Sequence, residues 1–153
     1  MRNKKKMNDK VSRTDVFEAY DLDEQVGYLL RLANQRHAGI FQNIISKDLT
    51  PTQFSVLIRL AEKGDLSQNL LGRRAALDTA TTKGVVDRLR AKALIQSRPD
   101  TSDKRRAIIS LTDEGQSIIS TLKKDGAEIT DKTLGSLKAT EKRKLLKLLK
   151  KII

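Results

Sequence analysis

The stretch Asp78-Thr79-Ala80-Thr81-Thr82-Lys83-Gly84-Val85-Val86-Asp87-Arg88-Leu89, followed shortly by Ile95-Gln96-Ser97-Arg98-Pro99, carries two different periods in one short segment. Thr82, Val85, Val86 and Leu89 recur at the spacing of a helix's inner face, so Asp78 or Thr79 starts a helix that runs to Ala91. After Leu94 the period falls to two, and residues 95–99 and 107–111 read as strands. Between them, Asp100-Thr101-Ser102-Asp103-Lys104-Arg105-Arg106 is too polar to bury and reads as the exposed tip of a hairpin.

Working back from this helix, Ser67 caps a short helix through about residue 75, and Leu77 sits in the tight turn after it. Two short capped helices joined by about three residues form a helix-turn-helix pattern. Upstream, Thr50-Pro51-Thr52-Gln53 supplies a capping hydroxyl, a proline at the first helical position and a glutamine three residues after the cap. The helix it starts turns Phe54, Leu57, Leu60 and Ala61 inward and stops at Gly64. Earlier still, Val26, Leu30, Ala33, His37, Ile40 and Ile44 repeat by fours and threes, the buried stripe of a long helix over about residues 23–47.

Beyond the hairpin, Thr112 with Asp113 and Glu114 caps a long segment whose stripe Ile118, Ile119, Leu122 and Ile129 is interrupted by Gly126. A last helix, about residues 139–152, gathers Leu145, Leu148, Leu149 and Ile152 on one side. Residues 1–12 hold Arg2, Lys4, Lys5, Lys6 and Lys10 with almost nothing to bury, and read as a disordered basic arm. The rest, residues 13–153, reads as a single domain that is mostly α with a small β-hairpin.

The chain has 153 residues, 31 Lys and Arg against 19 Asp and Glu, and a net charge of +12. Such an excess on a small chain points to a polyanion, above all double-stranded DNA. The charge concentrates near the hairpin, where ten Lys or Arg stand against four acids between Arg73 and Arg106. Basic residues on the second helix of the pair and on the adjacent loop are what a helix in the major groove with a flanking wing requires. No cysteine and a single histidine, His37, leave no thiolate metal site, disulfide or thiol catalysis. Without a Ser-His-Asp constellation or a glycine-rich phosphate loop, neither an enzyme nor a cofactor is expected. No apolar run approaches membrane length, so the protein is expected to be cytoplasmic with no membrane partner.

Asp103-Lys104-Arg105, six residues, Thr112, two residues and Gly115 resemble the signature of the MarR family of winged-helix transcription regulators. The string Leu49-Thr50-Pro51-Thr52-Gln53-Phe54, and Leu66-Ser67-Gln68 through Val86-Asp87-Arg88-Leu89, is similar to the same family. The resemblance covers roughly residues 25–150 and implies a winged helix-turn-helix core over about 49–112. It also implies dimerisation helices over about 23–47 and 112–153, with an effector pocket where dimer region and DNA lobe meet. In that family the Asp of the wing motif braces an Arg that enters the minor groove, roles that fall here on Asp103 and Arg105. The DNA-contacting set then comprises Thr79, Ala80, Thr81, Lys83, Arg88, Arg98, Asp103, Lys104, Arg105 and Arg106.

Two positions depart from the family pattern. Ala93 stands where glycine is usual, just past a helix end where positive φ is easiest for Gly, and Gly84 replaces a larger polar residue of the recognition helix. Gly84 either admits close approach of backbone to DNA or is a tolerated defect costing about 1 kcal/mol.

Asn34, His37 and Phe41 share a helix face, with Phe54 expected nearby, and this makes a part-aromatic pocket with a few polar hooks. His37 reads either as a ligand contact or as a core histidine satisfied by a neighbour. The wording of Tyr28 to Phe41 and of Thr79 to Leu89 is similar to MarR-type repressors of nicotinic acid degradation that respond to hydroxynicotinic acid. Arg31 or Arg36 is a candidate partner for such a carboxylate, against the plainer reading of solvated arginines. Together these features predict a homodimeric, sequence-specific repressor released from a pseudo-palindromic operator by a small aromatic acid. The rival is a non-specific architectural nucleic-acid-binding protein.

Overall fold

In the computed structural model, which describes residues 20–153, the chain divides into two units, Met1–Arg36 and His37–Ile153. The basic arm read over residues 1–12 lies outside the described residues. In the first unit, the Asp21 carboxylate accepts the Asp23 N–H at 2.9 Å and caps a single turn, Leu22–Glu24. Helix α1, Val26–Ile44, begins two residues later and is shorter at both ends than the 23–47 expected.

The α1 stripe is not buried as expected. Val26 is 66% and Leu30 46% exposed, with Leu29 and Leu32 open as well, whereas Phe41 is buried. A stripe of this spacing needs a covering surface, and the described residues do not supply one here.

The second unit is built on well-capped short helices. The Thr50 hydroxyl accepts the Gln53 N–H at 3.3 Å, and the Gln53 side chain returns the bond to the Thr50 N–H at 3.0 Å, starting α2, Pro51–Lys63. Ser67 caps α3, Gln68–Arg74, and Asp78, not Thr79, caps α4, Thr79–Ala91. Strands β2, Ile95–Pro99, and β3, Ala107–Leu111, pair antiparallel with Ser97 opposite Ile109. A two-residue strand the sequence does not announce, β1, Leu66–Ser67, adds to the other edge of β3, giving the order β1-β3-β2. Two residues show no period, so pairing with Ile108 and Ile109 is what defines this strand.

Thr112 then caps α5, Asp113–Thr133, and α6 spans Ala139–Leu149. Val56, Leu57, Leu71, Val85, Leu89, Ile109 and Leu122 are essentially inaccessible and form one aliphatic core beneath the helix pair and the sheet. The α5 stripe is buried as read, but on and after α6 Leu148 and Ile152 stay exposed. Among the described residues, no helix is long and apolar enough to cross a membrane.

Candidate nucleic-acid interface

Helix α4 buries Thr82, Val85, Val86 and Leu89 and therefore turns Thr79, Ala80, Thr81, Lys83 and Arg88 to solvent. The crossing of α3 and α4 is fixed by Gly72, where an added Cβ would run into the Thr82 side chain. The Thr82 hydroxyl donates to the Asp78 carbonyl at 2.7 Å, so this buried polar group is satisfied within its own turn. Lys83 and Arg88 have no carboxylate partner among the described residues. A Cβ at Gly84 would meet, among the described residues, only the Arg88 guanidinium, at 3.6 Å, so none of them requires glycine there.

The hairpin tip is ordered by its own carboxylates. Asp100 accepts the Ser102 N–H and hydroxyl, each at 2.8 Å, and these bonds hold its carboxyl below the usual carboxylate range. Asp103 accepts the Arg105 N–H at 3.1 Å and lies 3.2 Å from Arg105 Nε and 3.4 Å from Arg106 Nε. One carboxylate thus restrains two arginines, while the Arg105 side chain remains 92% exposed. Lys104 is exposed beside them. Arg98 points elsewhere, pairing with Asp65 at 3.1 Å in the turn before β1.

Charge counting overlooks two polar residues, Gln68 and Asn69. They line a cleft of about 350 Å³ with Arg73, Asp78 and Thr79, and a smaller one of about 160 Å³ with Arg105 and Arg106. They therefore adjoin both the exposed turn of α4 and the hairpin, an adjacency created by the fold and carrying no sequence signal.

Of the expected ligand residues, His37, Phe41 and Phe54 converge. Phe54 meets Phe41 edge-on at 5.9 Å between centroids, and His37 lies 6.4 Å from Phe41. With Pro51, Ser55, Gly126, Ile129 and Thr130 they line a cavity of about 190 Å³. Gly126 is the small residue that admits the Phe54 ring, since a Cβ there would sit 2.9 Å from its tip. His37 Nδ1 is 3.0 Å from the Thr133 hydroxyl, as a structural histidine would be, while Nε2 has no partner among the described residues. Arg31 and Asn34 belong to the first unit, where the Arg31 guanidinium lies over the Tyr28 ring at 5.1 Å.

The profile of the MarR family matches residues 49–107, from the cap of α2 to the start of β3. The transcriptional repressor NicR of Pseudomonas putida is 42% identical over 135 residues, covering 88% of this chain and 85% of that protein. A crystal structure of a probable transcriptional regulator from Pseudomonas aeruginosa superposes with a TM-score of 0.84 at 44% identity, covering 87% of this chain and all of the other. Bordetella bronchiseptica BpsR, whose DNA binding is regulated by 6-hydroxynicotinic acid, superposes with a TM-score of 0.82 at 37% identity, covering 87% and 96%.

Proposed function

Because this chain belongs to the MarR family and is a DNA-binding transcription regulator, we propose that it is a cytoplasmic repressor released from its operator by a small aromatic carboxylic acid. The family and these relatives are transcription regulators rather than enzymes. In this reading residues 13–153 act as one functional domain, with the DNA-binding core over about 49–112. Residues of about 23–47 and 112–153 form the dimer, and the open leucines and isoleucines of both units are the surfaces a second copy would cover.

DNA contact falls to Thr79, Ala80, Thr81, Lys83 and Arg88 in the major groove and to Arg105 in the minor groove, with Lys104, Arg106 and Arg98 toward phosphates. Asp103 positions Arg105 rather than touching DNA itself. Arg98 has to exchange Asp65 for a phosphate to take part.

The observation that carries the effector assignment is the cavity lined by His37, Phe41 and Phe54. At about 190 Å³ it is smaller than the roughly 300–1,000 Å³ of sites for larger ligands, and it offers aromatic walls with one imidazole nitrogen unpartnered among the described residues. A single-ring acid matches that size and chemistry. NicR is a transcriptional repressor, and the DNA binding of BpsR is regulated by 6-hydroxynicotinic acid, a single-ring acid of the proposed class. Arg31 and Asn34 stay proposed as ligand residues on their sequence positions alone.

An acid releases DNA only through its differential affinity for the free and bound forms, and tenfold release requires about 1.4 kcal/mol of coupling. The test titrates hydroxynicotinic, nicotinic and salicylic acids against the operator complex of wild type and His37→Gln. The variant is expected to fold and bind DNA normally and to need at least tenfold more acid for release. An unchanged response would make His37 a core residue held by Thr133.

A further inference from the structure

The N-terminal turn of α4 contains an arrangement that fixes the polarity of one exposed hydroxyl. The Thr81 N–H donates to Asp78 Oδ1 at 2.8 Å, and the Thr81 hydroxyl donates to Asp78 Oδ2 at 2.7 Å. A carboxylate has no hydrogen to give, so the single hydroxyl hydrogen of Thr81 is committed to Asp78. Thr81 is exposed, and its remaining lone pairs have no donor partner among the described residues. Thr82, the next hydroxyl, is buried and bonded to the Asp78 carbonyl, so it does not compete for the same carboxylate.

We propose that Thr81 reads the operator as a hydrogen-bond acceptor only, and that Asp78, which touches no base, sets that polarity. The inference rests on the assignment of α4 to the major groove. There the amino groups of adenine N6 and cytosine N4 are the donors, whereas guanine O6 and N7 and thymine O4 are all acceptors. An acceptor-only hydroxyl therefore pairs with an amino base, A or C, and meets lone pair with lone pair at G or T. In support, the bonds from the Thr81 backbone and hydroxyl hold the Asp78 carboxyl below its usual range, keeping it ionised and accepting at neutral pH.

Two near-isosteric changes separate the roles. Thr81→Val removes the hydroxyl but keeps the branched shape and the N–H bond to Asp78. Asp78→Asn keeps an effective N-cap, since asparagine caps as well as aspartate, but presents an NH2 where Oδ2 stood. The Thr81 hydroxyl then accepts from that amide, and its own hydrogen turns outward.

Binding-site selection from random DNA with all three proteins gives the test. Wild type is expected to prefer A or C by roughly tenfold at one symmetry-related pair of positions. Thr81→Val should reduce that preference to within about twofold while leaving the rest of the site intact, and Asp78→Asn should reverse it toward G or T. A wild type that selects no sequence at all would remove α4 as a base reader, and with it the repressor reading. A wild type that selects a site which Thr81→Val reproduces unchanged would overturn this proposal alone. Loss of preference in Thr81→Val with the amino preference kept in Asp78→Asn would overturn the role of Asp78.

Discussion

Ala76 and Ala93 occupy φ of 54° and 56°, a left-handed conformation that favours glycine. Both stand just past α3 and α4 and close them in the same way. The Leu77 N–H reaches the Gly72 carbonyl and the Ala76 N–H that of Arg73; Leu94 and Ala93 repeat this on Leu89 and Arg90. Ala93→Gly should therefore raise stability by up to about 1 kcal/mol in denaturant unfolding, because relief of the Cβ strain outweighs the freedom glycine adds to the unfolded chain. Gly115→Ala should do the opposite, with a loss of about 3 kcal/mol, because its Cβ would collide with the Leu94 carbonyl. The sequence shows the first of these, since a glycine is missing at a helix end. It does not show the second, because the collision joins residues on α5 and at the foot of β2 that only the fold brings together. His37 was legible as a polar residue on an apolar face, but its partner Thr133 lies 96 residues away and could not be read.

At the scale of elements, the caps and the change of period from α4 to β2 were readable because they are local. The Thr50, Ser67 and Thr112 hydroxyls each accept the backbone N–H three residues on, as their sequence context implies. The turn between α1 and α2 was not readable. Lys47 and Asp48 both have positive φ, and their carbonyls accept from Lys92 Nζ at 3.1 and 3.2 Å. The Ser46 N–H donates to Asp125 in the same turn, so residues from α5 and the end of α4 stabilise a conformation with no local motif.

The wing is a mixed case, in that its motif gives the residues but not the doubled pairing of Asp103. That pairing yields a graded expectation. Arg105→Ala should weaken operator binding by about 1–3 kcal/mol, as loss of an arginine from a narrow groove does, whereas Lys104→Ala should cost a few-fold and only at low salt. Asp103→Asn, which leaves both arginines in place but frees them, should fall between the two. Equal small losses from Arg105→Ala and Lys104→Ala, measured by fluorescence anisotropy, would remove Arg105 from the groove.

For the whole molecule, charge and apolar surface make separate demands. A net charge of +12 predicts strong salt dependence on any DNA, because each neutralised phosphate releases counterions. A regulator must add sequence preference to this, so its affinity for a selected site should exceed that for random DNA by about a thousandfold near 0.15 M salt. An architectural protein would show the slope without the ratio. Val26, Leu29, Leu30 and Leu32 in the first unit, and Leu146, Leu148, Ile152 and Ile153 in the second, are large apolar side chains left open to water. Covering one such leucine contributes about 1.5–3 kcal/mol, so a second copy is the economical way to remove them from solvent. Deleting residues 139–153 should then abolish assembly and leave an insoluble or unfolded chain. Two-fold assembly also fixes the DNA, requiring inverted half-sites whose centres lie about 10 base pairs apart, one helical turn. Inserting about five base pairs between half-sites would rotate one of them to the opposite face of the duplex, and affinity should fall to the non-specific level. A truncated chain that stays folded and monomeric at micromolar concentration in light scattering, or a complex indifferent to the insertion, would show that each copy binds alone.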